Sequence, residues 1–149
     1  MKKEFVMRGQ TASGKTEILN FSGHKKGYAY RMIEFKLFPS TDIGQSAFEL
    51  LGTVTASKTA MPATDPDFSD EGLIASVYHG TGASLTGSPG NNATVINDTF
   101  MITQNLILSV ANTGAGNTAI NWQCKFESVK LTGPQEAVAN YRQYLISDV

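Results

Sequence analysis

The feature that most constrains this chain is a strict alternation of apolar and polar residues, in short stretches separated by turn-forming residues. The stretch AINWQCKFESVKL (119–131) shows it most clearly, because one parity carries the apolar residues Ile120, Trp122, Cys124 and Phe126. The other parity carries Asn121, Gln123, Lys125 and Glu127. A repeat of two places alternate side chains on opposite faces of a β-strand. The pattern therefore predicts an antiparallel sheet with one buried face.

Five further stretches predict strands of the same character. They are KTEILNF (15–21), YAYRMIEFKLF (28–38), AFELLGTVTAS (47–57), LIASVYHG (73–80) and DTFMITQNLILSVAN (98–112). In 28–38, Tyr28, Tyr30 and Met32 lie on one parity, and Ile33, Phe35 and Leu37 lie on the other. This change predicts a bulge, or a strand that changes face, near Met32. Connections rich in Pro/Asp or Gly/Ser/Asn are predicted at 61–72, 80–94 and 112–118, and 80–94 is expected to be an exposed loop.

The segment 132–149 predicts a short helix instead of a strand. It opens with Gly133-Pro134, a favourable helix start. Ala137, Tyr141 and Leu145 then recur four residues apart with Val138 beside them, which gives one apolar stripe. The stripe would dock on the chain's own sheet or on a neighbouring subunit. The predicted organisation is an N-terminal arm (1–8), a β-sandwich domain (9–131) and a C-terminal helical extension (132–149), and 149 residues suit a single domain.

One motif suggests a nucleotide site. MRGQTASGKTEILNF (7–21) matches the phosphate-binding pattern G-x-x-x-x-G-K-[ST] at Gly9, Gly14, Lys15 and Thr16. A working P-loop needs a helix directly after the motif, with its N-terminus facing the phosphates. Only five residues separate Thr16 from Ser22-Gly23, which is too few for a typical helix. We interpret the motif as a glycine-bearing polar turn between two strands, with a P-loop NTPase as the alternative.

Other chemistry-bearing residues are sparse. Clustered carboxylates could hold Ca²⁺, and the candidates are Asp65, Asp67, Asp70 and Glu71. Their spacing does not fit the EF-hand pattern, so an acidic turn before a strand at Leu73 is the simpler interpretation. The two histidines are His24 and His79, and the single cysteine, Cys124, is predicted to pack as a small apolar residue. We predict no catalytic residue, no cofactor and no metal, and hence no enzyme.

Charge and hydropathy argue against several kinds of partner. The net charge is −1 and no Lys/Arg run exceeds two residues, so nucleic acid is not expected as a partner. No apolar stretch approaches the roughly 18 residues of a membrane span. The N-terminal apolar run, Phe5-Val6-Met7, is too short for the core of a signal peptide. We expect a soluble protein made in the cytoplasm.

Aromatic residues allow an alternative function. Trp122 shares a face with Ile120 and Phe126 and is predicted to lie in the core. Tyr28 and Tyr30 are predicted on an exposed face, where aromatic rings can form a platform for a sugar. Together with the 80–94 loop they would make a carbohydrate-binding module that contacts host glycans.

Four blocks of the chain carry a family resemblance. They are MRGQTASGKTEILNFSGHKKGYAYRMIEFKLFPS, FSDEGLIASV, INDTFMITQNLILSV and NWQCKFESVKL. They resemble small virion structural proteins of tailed phages of marine bacteria, and the similarity covers most of residues 4–131. The resemblance implies an all-β, jelly-roll type of antiparallel β-sandwich, to which the short C-terminal helix is added. It supplies no catalytic residues.

The resemblance implies a role in a phage particle, and the preferred role is a capsid decoration or cement protein that binds and braces the head shell. A small jelly-roll coat, a head knob, and a neck or tail protein are the alternatives within the virion. The implied partners are the major capsid protein or other virion proteins, and further copies of this chain, in a trimer or another closed oligomer. The interface candidates are Phe5, Val6 and Met7 of the arm and Tyr141, Tyr144 and Leu145 of the helix. Deletion of 1–8 or of 134–149 is expected to abolish assembly and to leave the sandwich folded.

Overall fold

The alternating stretches form eight strands, followed by one helix. The computed structural model describes residues 3–21, 23, 25–41, 48–81, 91–114 and 117–147. The strands are β1 Lys3–Thr11, β2 Thr16–Leu19, β3 Tyr28–Pro39, β4 Phe48–Thr55, β5 Leu73–Thr81, β6 Asn91–Ile96, β7 Leu106–Asn112 and β8 Ile120–Lys130. The helix is α1 Gly133–Ser147.

The strands form two antiparallel sheets that pack face to face. The small sheet has the order β1-β8-β3 and the large sheet the order β2-β7-β4-β5-β6. The inward residues of β8 are buried against residues of the large sheet such as Leu50, Val54 and Leu108. This confirms the predicted all-β antiparallel sandwich with a C-terminal helix.

The strand pairing follows a jelly-roll pattern with one departure. β1 pairs with β8, β2 with β7, and β4 with β5, as if one long hairpin were wrapped around itself. The remaining nested pair would join β3 to β6. Instead β6 pairs with β5, so β3 becomes an edge of the small sheet.

The predicted bulge in β3 is confirmed. The register between β3 and β8 shifts between Met32 and Glu34. An extra residue at this point reverses the parity, and Met32 and Phe35 are therefore both buried. The same reversal turns Tyr30 inward, where its ring centroid lies 5.4 Å from that of Phe5. The prediction that Tyr30 lies on an exposed face is wrong.

The N-terminal segment differs from the predicted arm. Residues 3–8 belong to β1, which pairs with β8 from Lys3↔Ser128 to Thr11↔Ile120. Phe5 and Met7 pack against the core because they share the inward parity of the strand, and Val6 points outward. Deleting 1–8 would remove most of β1 and two side chains that pack against the core, so we expect this deletion to destabilise the sandwich itself.

Two connections also differ from the predictions. The ends of the loop predicted at 80–94 belong to β5 and β6, and residues 82–90 lie outside the described residues. The strand predicted at 98–112 begins only at Leu106. In residues 98–105, Ile102 forms an isolated antiparallel bridge to Tyr30 of β3, and the backbone N–H groups of Thr103 and Gln104 donate to the Gln143 side chain.

Helix α1 confirms the predicted start. Thr132 caps it, since its N–H donates to Gln135 Oε1 at 3.0 Å while its hydroxyl accepts the Gln135 N–H at 3.4 Å. This reciprocal pair is a capping box. The helix is anchored by Gln143, whose Oε1 accepts the N–H of Thr103 at 2.5 Å, and by buried Ile146.

Removing the Phe126 ring tests the core assignment. The ring is fully buried and its centroid lies 5.0 Å from that of Phe21. We expect Phe126→Ala to lower the free energy of unfolding by about 3–5 kcal/mol, because it removes apolar burial and leaves a cavity. Phe68, which is 61% exposed, is the matched control, and Phe68→Ala is expected to cost less than about 0.5 kcal/mol. Urea unfolding measures both, and equal losses would contradict the assignment.

Candidate interaction surface

The segment that matches the P-loop pattern forms a turn between β1 and β2. The Gly14 N–H donates to the Val110 carbonyl at 2.9 Å, and the Lys15 N–H donates to the Ala12 carbonyl at 3.1 Å. Strand β2, not a helix, begins at Thr16. These two amides are therefore engaged within the protein and do not point at a phosphate. The interpretation as a polar turn is confirmed.

The acidic segment 61–72 is also a set of turns. Asp67 accepts hydrogen bonds from the Ser69 hydroxyl at 2.6 Å and the Ser69 N–H at 2.9 Å, and these bonds hold the pKa of Asp67 below its ordinary value. Asp70 accepts the Gly72 N–H at 2.8 Å, just before β5 begins at Leu73. The carboxylates thus stabilise turns. Within the described ranges, no three His, Cys, Asp or Glu side chains come together in a way that could hold a metal ion.

The cysteine and the tryptophan are core residues, as predicted. Cys124 is buried, and burial raises the pKa of its thiol well above the ordinary value. Trp122 packs beneath Gly9, where an added Cβ would lie 2.9 Å from the indole ring, and its Nε1 donates to Thr11 Oγ1 at 2.9 Å. His79 lies on β5, and His24 lies outside the described residues. Cys124 and Trp122 are thus held in the core, and neither is placed as a reactive group.

Helix α1 has two different long faces. The inner face docks through Gln143 and Ile146, whereas the opposite side carries large apolar and aromatic residues in contact with solvent. We call that side the outer stripe; it consists of Val138 (68% exposed), Tyr141 (64%), Tyr144 (56%) and Leu145 (47%). Spacings of three and four residues align Val138, Tyr141 and Leu145 along one side of the helix. The outer stripe is therefore not the side through which α1 docks on the described part of the two sheets.

An apolar groove runs beside this helix. It has a volume of about 600 Å³ and is lined by residues that include Phe100, Met101, Val129, Leu131 and Val138. The Arg142 guanidinium lies 5.7 Å from the centre of the Phe100 ring and closes one side. Because Val138 belongs to both features, the groove and the outer stripe form one continuous apolar surface. Such a surface is typical of a protein-binding site.

The six predicted interface residues separate into two groups. Phe5 and Met7 pack against the core and do not face a partner. Val6, Tyr141, Tyr144 and Leu145 remain exposed, and three of these four form most of the outer stripe. Sequence reasoning missed the groove and the anchor Gln143. A polar residue in an amphipathic pattern gives no signal that it will be buried, although the apolar residues Val129 and Leu131 at the end of β8 could have suggested the groove.

No helix in the described part of the chain is both long and apolar enough to cross a membrane.

The turn at Gly14 can be tested through its backbone conformation. Gly14 has φ +79° with no atom near a built Cβ, so Gly14→Ala is expected to cost about 1 kcal/mol from the left-handed conformation alone. Gly133, at the first turn of α1, also has open space but no positive φ. Gly133→Ala is therefore the matched control and should be neutral or slightly stabilising. Urea unfolding compares them, and MgATP should leave both midpoints unchanged; a midpoint raised by MgATP would contradict the turn assignment.

The burial of Cys124 predicts that its thiol is unreactive. In the native protein, Ellman's reagent should release almost no thionitrobenzoate, because the thiol is protonated and inaccessible. In concentrated urea the same sample should release one equivalent per chain, since Cys124 is the single cysteine. Cys124→Ser is the blank for both conditions. Equal rates in native buffer and in urea would show that the site is open.

Comparison with known proteins gives no family name. The chain matches no protein-family model and no curated protein. What the protein does is therefore inferred from its own residues and surfaces.

Proposed function

We propose that the protein is a structural component of a bacteriophage virion, in the role of a capsid decoration protein that binds and braces the head shell. The observation that carries the proposal is the outer stripe with its adjoining apolar groove. A chain with no protein partner would keep Val138, Tyr141 and Leu145 in water permanently. Complete burial of a fully exposed aliphatic side chain contributes roughly 1.5–3 kcal/mol. A partner surface gains part of that value at each of Val138 and Leu145, and the Tyr141 ring adds further apolar area.

The attachment of the helix favours a fixed and repeated contact. Gln143 accepts three hydrogen bonds, from the Thr103 N–H, the Thr103 hydroxyl and the Gln104 N–H. Ile146 adds an apolar contact to the core. The outer stripe is therefore held in one orientation on a rigid sandwich, as a protein in a symmetric shell requires.

The composition and the topology are compatible with this role. Charged residues make up 17% of the chain and the net charge is −1, so long-range charge attraction is weak and apolar contact must supply the binding. The nested pairing of β1 with β8, β2 with β7 and β4 with β5 is of the jelly-roll type that the phage resemblance implies. The proposed partners are the major capsid protein and further copies of the chain, in a trimer or another closed oligomer.

The alternative functions differ from the decoration role either in their location in the virion or in the ligand that they bind. A coat, head-knob, neck or tail protein could use the same stripe. The carbohydrate-binding alternative loses its predicted platform, because Tyr30 lies against Phe5 and Phe21 and the Lys25 ammonium lies 5.1 Å from the centre of the Tyr28 ring. The 82–90 part of its loop lies outside the described residues.

Immunogold labelling tests the virion role. Antibody raised against the recombinant protein would be applied to purified particles of the phage that encodes it. Label over the heads in many copies is the expected result. Label confined to tails or necks would replace the decoration role by another virion role. Particles that carry no label and no immunoblot signal would refute the proposal.

A charge placed in the outer stripe tests how the protein binds. Tyr141→Asp should weaken rebinding to particles stripped of the protein by at least about tenfold, because an interface would have to bury a carboxylate without a partner. Asn140→Asp adds the same charge one residue away at another exposed position of α1 and is the matched control. Quantitative immunoblots of pelleted particles measure both, and circular dichroism checks that both fold. Equal rebinding would exclude the stripe as the contact.

A further inference from the structure

A second surface lies on the outer face of the small sheet. Two cross-strand rows form its floor: Arg8, Gln123 and Lys36 in one, and Gln10, Asn121 and Phe38 in the next. Their parity is opposite to that of the buried Phe35, Leu37 and Trp122, so they face outward. We call this surface the sheet groove.

The β5–β6 hairpin forms one side of the sheet groove. Because β6 pairs with β5 and not with β3, the β5–β6 hairpin stands beside the edge of the small sheet. Tyr78 and His79 of β5 and Asn92 and Thr94 of β6 line that side, and parts of the core residues Phe35, Leu37, Val77 and Trp122 complete the lining where the edge of the small sheet meets the hairpin. The resulting space of about 880 Å³ is as large as typical small-ligand sites.

The lining has a specific chemistry. Gln10, Asn121, Gln123 and Asn92 offer amides, which both donate and accept hydrogen bonds. Gln10 Nε2 donates to Asn121 Oδ1 at 2.9 Å, and Asn121 Nδ2 donates to the Pro39 carbonyl at 3.3 Å, so two of these amides are held in place. Phe38 presents a ring that is 55% exposed beside them. Adjacent amides and an exposed ring fit a ligand that has both hydroxyl groups and an apolar face.

The charge of the lining selects among such ligands. Arg8 and Lys36 contribute two cations, and no Asp or Glu is among the described residues that line the groove. The neighbouring Glu34 lies 3.5 Å from Lys36 Nζ, outside the groove, and leaves Arg8 as the stronger anion-binding group. On a chain with a net charge of −1, this is a local excess of positive charge. It complements a carboxylate or a sulfate.

We propose that the sheet groove binds an acidic saccharide. The sugar ring stacks on Phe38, its hydroxyl groups bond to the amides of Gln10, Asn121 and Gln123, and its anionic group lies at Arg8. The site uses no residue of the outer stripe, so it does not depend on the virion role and can be tested separately.

Titration calorimetry with three short oligosaccharides tests the proposal. The probes are a uronic acid oligomer, a sulfated oligomer of similar length, and neutral maltohexaose. We expect saturable binding of at least one acidic probe and binding of maltohexaose at least about tenfold weaker, since a charge-assisted hydrogen bond strengthens only the acidic ligand. The preferred probe distinguishes a carboxylate site from a sulfate site. Equal binding of neutral and acidic probes, or no binding of any probe at millimolar concentration, would overturn the proposal.

Paired variants locate the site. Phe38→Ala and Arg8→Gln should each weaken binding of the acidic probe by roughly tenfold. Phe68→Ala removes the same ring, and Lys58→Gln removes a unit positive charge, at exposed positions outside the groove, and both should leave binding unchanged. All four side chains are exposed, so circular dichroism should show folded protein in every case. Losses equal to those of the controls would show non-specific attraction and would overturn the assignment to this groove.

Discussion

Strand β8 is the element on which the rest of the structure depends. It pairs with β1 along one edge and with β3 along the other, so the small sheet exists only around it. Its inward residues, among them Cys124 and Phe126, are fully buried against the large sheet. Its outward residues Asn121 and Gln123 form the centre of the sheet groove. A register shift of β8 by one residue would turn its buried side chains outward and its polar side chains inward. The alternation of β8 therefore specifies both the core and the polar outer surface.

The two candidate surfaces arise where the chain departs from simple rules. A fully nested jelly roll would pair β3 with β6 and would cover the edge of the small sheet. Because β6 pairs with β5, β3 remains the edge strand of the small sheet, and the β5–β6 hairpin stands next to it and forms one side of the sheet groove. In the same way, an amphipathic helix normally buries its apolar side. Here Gln143 anchors α1 through bonds to Thr103 and Gln104, and the apolar side is left facing solvent.

Local patterns explain what could be predicted from the sequence. The bulge near Met32, the turn at Gly14 and the helix start at Gly133 each depend on a few neighbouring residues, and all three agree with the structure. β6 could not be predicted, because it is an edge strand that begins in a Gly/Ser/Asn-rich stretch, and among its residues 92–96 only Ile96 packs against the core. The sheet order and the docking side of α1 could not be predicted either, because they depend on contacts between residues far apart in the sequence. The burial of Phe5 and Met7 follows from the same alternation as in β8, but the short apolar run was interpreted as an arm.

The two surfaces can be occupied at the same time. Asn121 and Gln123, near the start of β8, lie in the sheet groove, whereas Val129 and Leu131, at its end, line the apolar groove beside α1. At about 3.3 Å per residue, the eight residues from Gln123 to Leu131 separate the surfaces by roughly 25 Å. Substitutions that far apart usually act independently. The two proposals are therefore compatible: apolar contact with a shell protein is proposed beside one end of β8, and saccharide binding by amides and a cation is proposed beside the other.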